Sequence, residues 1–408
     1  MARERVERAI IVGGGIGGPV LGMWLRQLGL EVVLAERRVG SARAEGAFLG
    51  LAPNGMNVLG ALGLAEAVGG RGAPCGAFRF HNAAGRPIGG IDRSADAARF
   101  GAPLLMVRRG ELQELLLEEA ERRGVQVLRG ARLLALDTAA PRSVAALFED
   151  GRTVHADLLV GCDGLRSATR RLLMPEAPEP AFTGLWDYGG FASDVRTPLR
   201  PGVNEMVFGR RAFFGAFLTP RGEVWWFHNG PQGPTGEGPD AGARERLLEL
   251  HADDPSWVRD VVRATPEVLG PWRLYELRDV PRWSRGRVCL LGDAAHAMPP
   301  SAGQGASMAL EDAMVLAICL RDVETPEAAF ARYERLRRPR VEALAAHARR
   351  NGARKAPPGP LALALRDLLL PLGLRLGARA QDRSYAHRIS WEAPVGTLQS
   401  TSTGSSTR

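Results

Sequence analysis

RAIIVGGGIGGPVLGMWLRQLGLEVVLAE, residues 8–36, is the stretch that decides the fold class. Its two ends, RAIIV and EVVLAE, are short apolar runs typical of buried strands, and the apolar residues between them recur at helical spacing. Three glycines, Gly13, Gly15 and Gly18, follow the first strand in the order G-x-G-x-x-G, and Glu36 ends the second strand. The stretch therefore predicts a β-α-β unit.

The glycines and the acid indicate what this unit binds. Gly13 allows a tight turn, Gly15 lets a pyrophosphate approach the backbone, and Gly18 lets the helix pack closely on the strand. The pyrophosphate would meet free N–H groups at the helix N-terminus, where the helix dipole favours negative charge. Glu36 is placed to accept hydrogen bonds from ribose hydroxyls. The motif predicts a bound dinucleotide and leaves NAD and the adenosine half of FAD both open.

Length and composition narrow the class of protein. The chain has 408 residues, of which 45% are hydrophobic and 24% charged, and these globular values suit two lobes or one large α/β domain. Its net charge is +8 and its pI about 10.1. Lys355 is the only lysine, and the arginines are spread along the chain without a basic run interleaved with aromatic residues. We therefore expect no nucleic-acid partner.

Cysteine spacing and hydropathy indicate the compartment. The four cysteines form no C-x-x-C pair, so we expect free thiols, no metal site and a cytoplasmic protein. We expect no secretory signal, and no uncharged apolar run is long enough to span a bilayer. Residues 361–376 form an apolar segment interrupted by charges, for which we expect a helix packed on the body rather than on a membrane surface.

Two further motifs place polar turn residues at strand ends. ADLLVGCDGLRSATR, residues 156–170, indicates a strand that ends at Asp163 and Gly164, although a plain strand-turn-helix junction capped by Asp163 explains it equally well. GDAAHAMPPSAGQG, residues 292–305, lies between an apolar strand and a long helical pattern. Irregular loops of this length cost conformational entropy, so this one indicates a binding loop.

Together the three motifs resemble the fingerprints of the single-component (group A) FAD-dependent aromatic monooxygenases, the para-hydroxybenzoate and salicylate hydroxylase family. Two weaker pieces agree with the resemblance, GAFLGLAPNGMNVLGALGL at residues 46–64 and VRRGELQELL at residues 107–116. Two positions depart from the family pattern. Ser307 stands where asparagine is frequent, and Phe48 stands where glycine is common.

The resemblance implies a set of residues that bind FAD. These are Gly13, Gly15, Gly18, Glu36, Arg37, Arg43, Arg109, Asp163, Gly164, Asp293, Pro300, Gly303, Gln304 and Gly305. The first motif would hold the pyrophosphate and adenosine ribose, and Arg43 and Arg109 would reach the ribityl-phosphate region. Asp163 and Gly164 would also serve the nicotinamide cofactor. The third motif would bind the ribityl chain and line the isoalloxazine.

The resemblance also implies the reaction. The flavin would be reduced by NADH or NADPH, react with O2 to form a C4a-hydroperoxide, and hydroxylate or epoxidise an aromatic or heteroaromatic small molecule. This chemistry requires neither a metal nor a nucleophilic side chain, and the sequence assigns no catalytic residue. Three alternatives remain. A flavin halogenase shares the FAD fold but should carry a W-x-W-x-I-P stretch, which WWFHNG at residues 225–230 is not. An FAD-dependent reductase or dehydrogenase without oxygen insertion and a catalytically silent FAD-containing binding protein would keep the same nucleotide motifs.

Residues 181–231 contain several runs typical of strands, and we expect them to form a sheet over the substrate. The candidate substrate residues are Phe48, Arg211, Phe213 and Trp226, although alternation along a strand does not say which face is inside. The aromatic residues of this region hint at a large apolar ligand, such as a quinolone or polyketide, rather than a small benzoate. For His296 the resemblance favours a structural residue beneath the flavin loop over a general base.

These expectations combine into an α/β fold with a Rossmann-like FAD-binding domain of the glutathione-reductase type, an inserted β-sheet substrate lobe and a C-terminal helical segment. The predicted division assigns 1–74, 106–180 and 282–350 to the FAD-binding domain, 75–105 and 181–281 to the substrate lobe, 351–392 to helices and 393–408 to a disordered tail. We expect the protein to be a monomer or a homodimer.

Overall fold

The computed structural model describes residues 5–41, 46–231, 233–234, 242–353 and 360–398. The strands within these ranges are β1 (Arg8–Val12), β2 (Glu31–Glu36), β3 (Phe48–Leu51), β4 (Gly72–Pro74), β5 (Ala77–Asn82), β6 (Pro87–Asp92), β7 (Leu105–Arg108), β8 (Gln126–Arg129), β9 (Leu133–Asp137), β10 (Val144–Phe148), β11 (Thr153–Ala156), β12 (Leu158–Gly161), β13 (Ala181–Ala192), β14 (Val203–Phe208), β15 (Phe213–Leu218), β16 (Val224–Gly230), β17 (Leu269–Glu276), β18 (Ser284–Arg285) and β19 (Val288–Leu290). The α-helices are α1 (Gly17–Gln27), α2 (Pro53–Ala61), α3 (Ala65–Gly69), α4 (Asp96–Phe100), α5 (Arg109–Arg122), α6 (Ala168–Leu173), α7 (Ala243–Leu250), α8 (Ser256–Ala264), α9 (Asp293–His296), α10 (Gly305–Asp322), α11 (Pro326–Ala353) and α12 (Pro360–Tyr385).

A six-stranded sheet in the order β18-β19-β12-β1-β2-β8 forms the centre of the first lobe. Its strands run parallel except for the short edge strand β18. Helices α1 and α10 pack against each other in the same core, so β1 and β12 are buried almost along their whole length. Burial on both faces explains why these strands are continuous apolar runs. The β-α-β prediction and the α/β fold class are confirmed.

A seven-stranded sheet in the order β17-β13-β16-β15-β14-β5-β6 forms the second lobe. It is antiparallel apart from the β14–β5 pair. Helices α7 and α8 cover one face through Leu247, Val258, Val261 and Val262, and the other face looks toward the first lobe. All seven strands lie within residues 75–105 and 181–281, while the domain division itself stays a prediction.

The described part of the chain also contains two three-stranded sheets. Strands β3, β7 and β4 form an antiparallel sheet, and it packs between the two lobes with Leu104 and Met106 in contact with residues of both. Strands β11, β10 and β9 form an antiparallel meander beside β1.

Helix α12 packs on the edge of the seven-stranded sheet beside β6. Leu370 and Leu374 contact the phenylalanines of that sheet. The opposite side of the helix carries exposed leucines at positions 365, 368, 369 and 372. Among the described residues no helix has the length and apolar content needed to cross a bilayer.

The end of the chain differs from the predicted disordered tail. Residues 393–398 are docked on the first lobe, where a short 3-10 turn spans Val395–Thr397 and the Val395 N–H donates to Asp322 at 2.7 Å. Just before it, the Trp391 ring stacks on the buried Trp24 ring with centroids 4.3 Å apart. The polar composition of residues 393–398 does not predict this docking, because the aromatic residue that anchors the chain here, Trp391, precedes them. Residues 399–408 lie outside the described residues.

We expect Trp391→Ala to lower the free energy of unfolding by about 2 kcal/mol, because it uncovers Trp24 and removes a stacked pair. Urea unfolding followed by tryptophan fluorescence and circular dichroism measures the change. Leu134→Ala, at a side chain that is 53% exposed, is the control and should shift stability by less than about 0.5 kcal/mol. Equal effects of the two substitutions would show that the docked segment adds nothing to stability.

Candidate active site

Three loops meet at one edge of the parallel sheet. Residues 13–17 follow β1, residues 162–164 follow β12 and residues 291–293 follow β19, and these strands are neighbours in the sheet. The carboxyl ends of parallel strands point to the same edge, so the three motifs line one cavity. The cavity measures about 2400 Å³ and extends from these loops to the seven-stranded sheet and α12.

The first loop requires glycine for two different reasons. Gly13 has a φ of +113°, and a Cβ there would collide with the carbonyl oxygen of Cys162. A Cβ on Gly18 would collide with the carbonyl oxygen of Gly13, since helix and strand touch at this point. At Gly15 a Cβ would meet nothing within 4 Å, because the backbone faces the cavity. Packing thus requires two of the glycines, and open space lies in front of the third.

Glu36 is buried at the end of β2 and holds the first loop in shape. One carboxylate oxygen accepts from the Gly14 N–H at 2.7 Å, and the other accepts from the Arg38 N–H at 2.9 Å. The Gln113 amide donates to the Gly14 carbonyl at 2.9 Å from α5. Each carboxylate oxygen keeps further lone-pair capacity toward the cavity, and the exposed Arg37 lies beside it.

Asp163 and Ser167 together cap α6, with Ser167 as the N-cap residue, whose hydroxyl accepts from the Arg170 N–H at 2.8 Å. The Asp163 carboxylate accepts from the Ser167 hydroxyl at 2.5 Å and from the Thr169 N–H and hydroxyl at 2.9 and 3.0 Å. The capping alternative raised by the sequence is therefore present in the structure. The adjacent Gly164 has a φ of +78°, and a Cβ there would meet nothing within 4 Å. The acid fixes the turn, and the glycine presents its backbone to the cavity.

The third loop combines an exposed acid with bare backbone. Asp293 begins α9 with its side chain exposed at the cavity, and its carboxylate accepts no hydrogen bond from the described residues. A Cβ added to Gly303 or to Gly305 would meet no atom within 4 Å. Between them Gln304 is buried, and its Nε2 is without a partner among the described residues. The loop thus offers a carboxylate, an amide donor and helix N–H groups to the cavity.

Below this loop a buried polar network joins α10 to α11. The Asn54 Nδ2 donates to Gln304 Oε1 at 3.1 Å and to Glu311 Oε1 at 2.7 Å. Glu311 also accepts from Arg337 at 2.6 Å and from Arg340 at 2.8 Å. Gln304 is therefore linked, through the side-chain amide of Asn54, to the buried ion pairs of Glu311.

The neighbouring Asp312 forms the second half of this network. It accepts from Arg337 Nε at 2.6 Å, from His296 Nε2 at 2.6 Å and from the Gly292 N–H at 3.2 Å. The His296 ring also lies 5.0 Å from the Trp283 ring and is buried. These contacts agree with the structural role that the resemblance favours for His296.

Charges within the network decide its protonation state. Burial opposes the ionised forms of Glu311 and Asp312, but the charges of Arg340 and Arg337, together with the hydrogen bond from His296 to Asp312, hold the pKa of both carboxyls below their usual range. His387 lies 3.9 Å from Glu311, and burial lowers its pKa to about 4. At neutral pH the network therefore contains two carboxylates, two guanidinium groups and a neutral His387.

The substrate candidates separate into two groups. Phe48 and Phe213 line the cavity, and the Phe227 ring lies between them at 6.1 and 5.9 Å from theirs. Arg211 lies outside the cavity in an exposed ion pair with Asp253 at 2.9 Å. Trp226 faces the other side of the sheet, where it stacks on Phe214 and donates to Thr265 at 2.8 Å. Arg211 and Trp226 therefore lie away from the cavity, which corrects the prediction that they contact the substrate.

The correction at β16 has a simple physical cause. Trp225 and Trp226 are consecutive and both buried, because α7 and α8 cover one face of the sheet and the first lobe covers the other. Apolar alternation cannot identify the inner face of a strand that is covered on both sides. Arg43, the remaining cofactor candidate away from the motifs, lies outside the described residues.

The sequence interpretation missed Asn54, Glu311, Arg337 and Arg340. A signal was present, since two consecutive acids occur in the otherwise apolar helix sequence ASMALEDAMVLAICL. Acids are almost never fully buried without a partner, so such a pair predicts buried cations elsewhere in the chain. Ser307, one of the departures from the family pattern, touches Gly55: a Cβ on that glycine would lie 2.6 Å from the serine oxygen. A small residue fits at 307 because α2 passes so close.

The observations at the three loops fit FAD. Four glycines, Gly15, Gly164, Gly303 and Gly305, leave space in front of their backbone that a Cβ would fill. Anionic groups suit the N-terminus of α1, and a polyol suits the exposed carboxylate of Asp293. The buried amide donor of Gln304 suits a carbonyl or ring nitrogen. A dinucleotide with both phosphates and a heteroaromatic ring satisfies this set of groups.

Comparison with known proteins agrees with this geometry. A family model described as an FAD binding domain matches residues 7–348. The chain belongs to this FAD-binding family. An aurachin C monooxygenase/isomerase from Stigmatella aurantiaca is 33% identical over 84% of this chain and 88% of that protein. A 3-amino-4-hydroxybenzoate 2-monooxygenase from Streptomyces platensis is 33% identical over 95% of this chain and 97% of that protein.

A solved structure shows the same fold with the cofactor bound. Klebsiella pneumoniae HpxO complexed with FAD and uric acid superposes with a TM-score of 0.83 and 26% identity, over 93% of this chain and 96% of that one. The predicted family, cofactor and enzyme class are confirmed: the chain is an FAD-dependent monooxygenase that uses NAD(P)H and O2. The reductase and binding-protein alternatives are not supported.

We expect Asp293→Ala to reduce the FAD content of the purified protein, because it removes the exposed carboxylate of the third loop. His296→Ala should largely retain FAD, since Asp312 still accepts from Arg337 and from the Gly292 N–H. The ratio of absorbance at 450 nm to that at 280 nm measures retention. Full FAD content in the Asp293 variant would contradict the role assigned to this loop.

We expect Glu311→Gln to destabilise the protein by about 3–5 kcal/mol at pH 7, because the buried Arg340 loses its anionic partner and the buried Arg337 keeps only Asp312. The folded protein holds the pKa of Glu311 below its unfolded value. Its contribution is therefore present above that value and is lost as the pH falls below it. Urea midpoints between pH 7 and pH 3 should fall less steeply in this variant than in the wild type. The exposed Glu66→Gln is the control, and identical slopes in all three proteins would contradict the assignment.

Proposed function

We propose that this monooxygenase binds FAD along the three motif loops and oxygenates an aromatic or heteroaromatic small molecule between the third loop and the seven-stranded sheet. The observation that supports this proposal is the composition of the cavity, which has open glycine backbone at one end and aromatic side chains at the other. Hydroxylation and epoxidation both fit this arrangement.

The first lobe supplies the groups for the nucleotide part of FAD. The backbone at Gly13 and Gly15 and the N-terminus of α1 receive the pyrophosphate. Glu36, with Arg37 beside it, receives the adenosine ribose through its remaining lone pairs. Arg109 lines the cavity at the start of α5 and is placed to attract a phosphate.

The third loop supplies the groups for the flavin part. Asp293 receives the ribityl hydroxyls, and residues from Pro300 through Gly303 to Gly305 line the ring. The N–H groups at the start of α10 stabilise negative charge that develops there during reduction. When bound, FAD supplies the redox chemistry, accepting electrons from NAD(P)H and delivering one atom of O2 to the substrate.

The nicotinamide cofactor approaches at the rim formed by the second loop. Gly164 presents backbone there, and Asp163 keeps its turn rigid. Arg166 and Arg273 lie at the same rim, with the Arg273 guanidinium 4.9 Å above the Trp186 ring. Cations held on aromatic faces suit a pyrophosphate and a nucleotide base.

The sheet supplies the substrate surface. Phe48 and Phe213 are joined there by Phe227, and their aromatic faces hold a planar ring and exclude water from it. The relatives named for an aminohydroxybenzoate and for aurachin C, and the uric acid complex, support an aromatic or heteroaromatic substrate. The chain's role in the chemical step is therefore positioning and desolvation.

We also propose that the protein is cytoplasmic and is a monomer or a homodimer. Its four cysteines are unpaired thiols, and three of them are buried. Free thiols are the rule in a reducing compartment.

The test is NADH and NADPH oxidation by the FAD-loaded protein under air, with phenols, quinolones and polyketide aromatics added one at a time. We expect one class to accelerate oxidation at least about tenfold and to gain one oxygen atom from 18O2, detected by mass spectrometry. Peroxide release without any oxygenated product across the panel would favour a reductase and count against the proposal. Heat-inactivated protein with free FAD is the control.

A further inference from the structure

One end of the cavity is an apolar pocket between the seven-stranded sheet and α12. Its lining, called the apolar pocket below, consists of Phe78, Phe80, Ile91, Met206, Phe208, Phe213, Phe227, Leu370 and Leu374. None of these side chains carries a charge or a strong hydrogen-bonding group. Water molecules find few hydrogen-bond partners on these side chains, so the pocket is suited to an apolar group such as an alkyl chain.

The helix above the pocket leaves room for an occupant. Gly373 and Gly377 lie on the side of α12 that lines the cavity, and a Cβ on Gly377 would meet nothing within 4 Å. Several lining side chains, including Phe78, Met206 and Leu374, are only partly buried and face the cavity. The whole cavity, at about 2400 Å³, exceeds the roughly 300–1,000 Å³ usual for a single ligand. Space therefore remains beyond a cofactor and one aromatic ring.

The apolar pocket is continuous with the substrate position of the proposed function. Phe227 lies 6.1 Å from Phe48, at the flavin end, and 5.9 Å from Phe213, in the pocket. One molecule can thus place a ring beside the third loop and a substituent under α12.

The five strands around the apolar pocket favour a neutral molecule. Among the described residues, strands β5, β6, β14, β15 and β16 present no charged side chain to the cavity. Asn204 lines the cavity from β14, is 2% exposed, and its Oδ1 is without a partner among the described residues. An unpaired buried amide oxygen requires a donor such as a hydroxyl or N–H, and it would repel a carboxylate.

We propose that the substrate is a neutral aromatic compound bearing an aliphatic substituent of several carbons, with the substituent in the apolar pocket under α12. This rests on the proposed function for the ring position. The substituent supplies binding free energy through burial, and Asn204 Oδ1 accepts a hydrogen bond from the polar end of the molecule.

The test is binding of 4-ethylphenol, 4-butylphenol and 4-hexylphenol to the FAD-loaded full chain at pH 7, followed by the change in flavin absorbance. Burial of each added methylene should lower Kd about fourfold. 4-Hexylbenzoate, which is anionic, should bind at least about tenfold more weakly than 4-hexylphenol. A Kd that does not depend on chain length, or equal binding of the benzoate, would overturn the proposal.

Two variants locate the substituent. Gly377→Phe fills the space under α12 and Met206→Trp fills it from the sheet. Each should raise Kd for 4-hexylphenol at least about tenfold and leave 4-ethylphenol within about twofold. Leu372→Phe adds the same ring on the exposed side of α12 and is the matched control. An unchanged chain-length dependence in both filled variants would place the substituent elsewhere and refute the assignment.

The titration uses neither NAD(P)H nor O2. A failed turnover assay therefore leaves the pocket assignment standing, and a failed titration leaves the monooxygenase assay standing.

Discussion

Two consecutive buried carboxylates, Glu311 and Asp312, are the constraint on which the rest of the site depends. Each is fully buried in α10, and the desolvation of an unpaired charge costs several kcal/mol. The chain meets this requirement with two arginines of α11: Arg337 bonds to both acids at 2.6 Å, and Arg340 bonds to Glu311 at 2.8 Å. Because guanidinium geometry is directional, the pairs fix α11 against α10 in one position.

The same network reaches the surfaces that surround the cavity. On one side, Asn54 connects Glu311 to Gln304, so the third loop is held from below by a side chain of α2. On the other side, the Arg340 Nη2 donates to the Ser384 carbonyl at 3.1 Å, at the end of α12. The loop that faces the cofactor and the helix that covers the apolar pocket are therefore anchored to one group of charges. Loosening that group would affect both ends of the cavity together.

The sequence predicts the parts of this structure in which local pattern and chemistry agree. The β-α-β unit was predictable because Gly13 and Gly18 are required by backbone contacts and the strands are continuous apolar runs. The inner face of β16 was not predictable, because both faces of this strand are buried. The docking of residues 393–398 was not predictable either, since their polar composition is typical of disorder and the anchoring Trp391 lies just before them. Glu311 and Arg340 pair although they are far apart in the sequence. The sequence indicates such a pair only indirectly, through an acidic residue within an apolar helix.

The distribution of arginine in the cavity gives a reason for the basic composition of the chain. The arginines that line the cavity from the first lobe are Arg37, Arg38, Arg109, Arg132, Arg166, Arg171, Arg340 and Arg350. Both nucleotides of an NAD(P)H-dependent flavoprotein are anions, so this end attracts them from a distance. A neutral apolar substrate gains nothing there, and it is stabilised instead by the aromatic side chains of the sheet. Under the proposed function, the arginines of the first lobe thus favour the anionic cofactors and the aromatic side chains of the sheet favour the substrate.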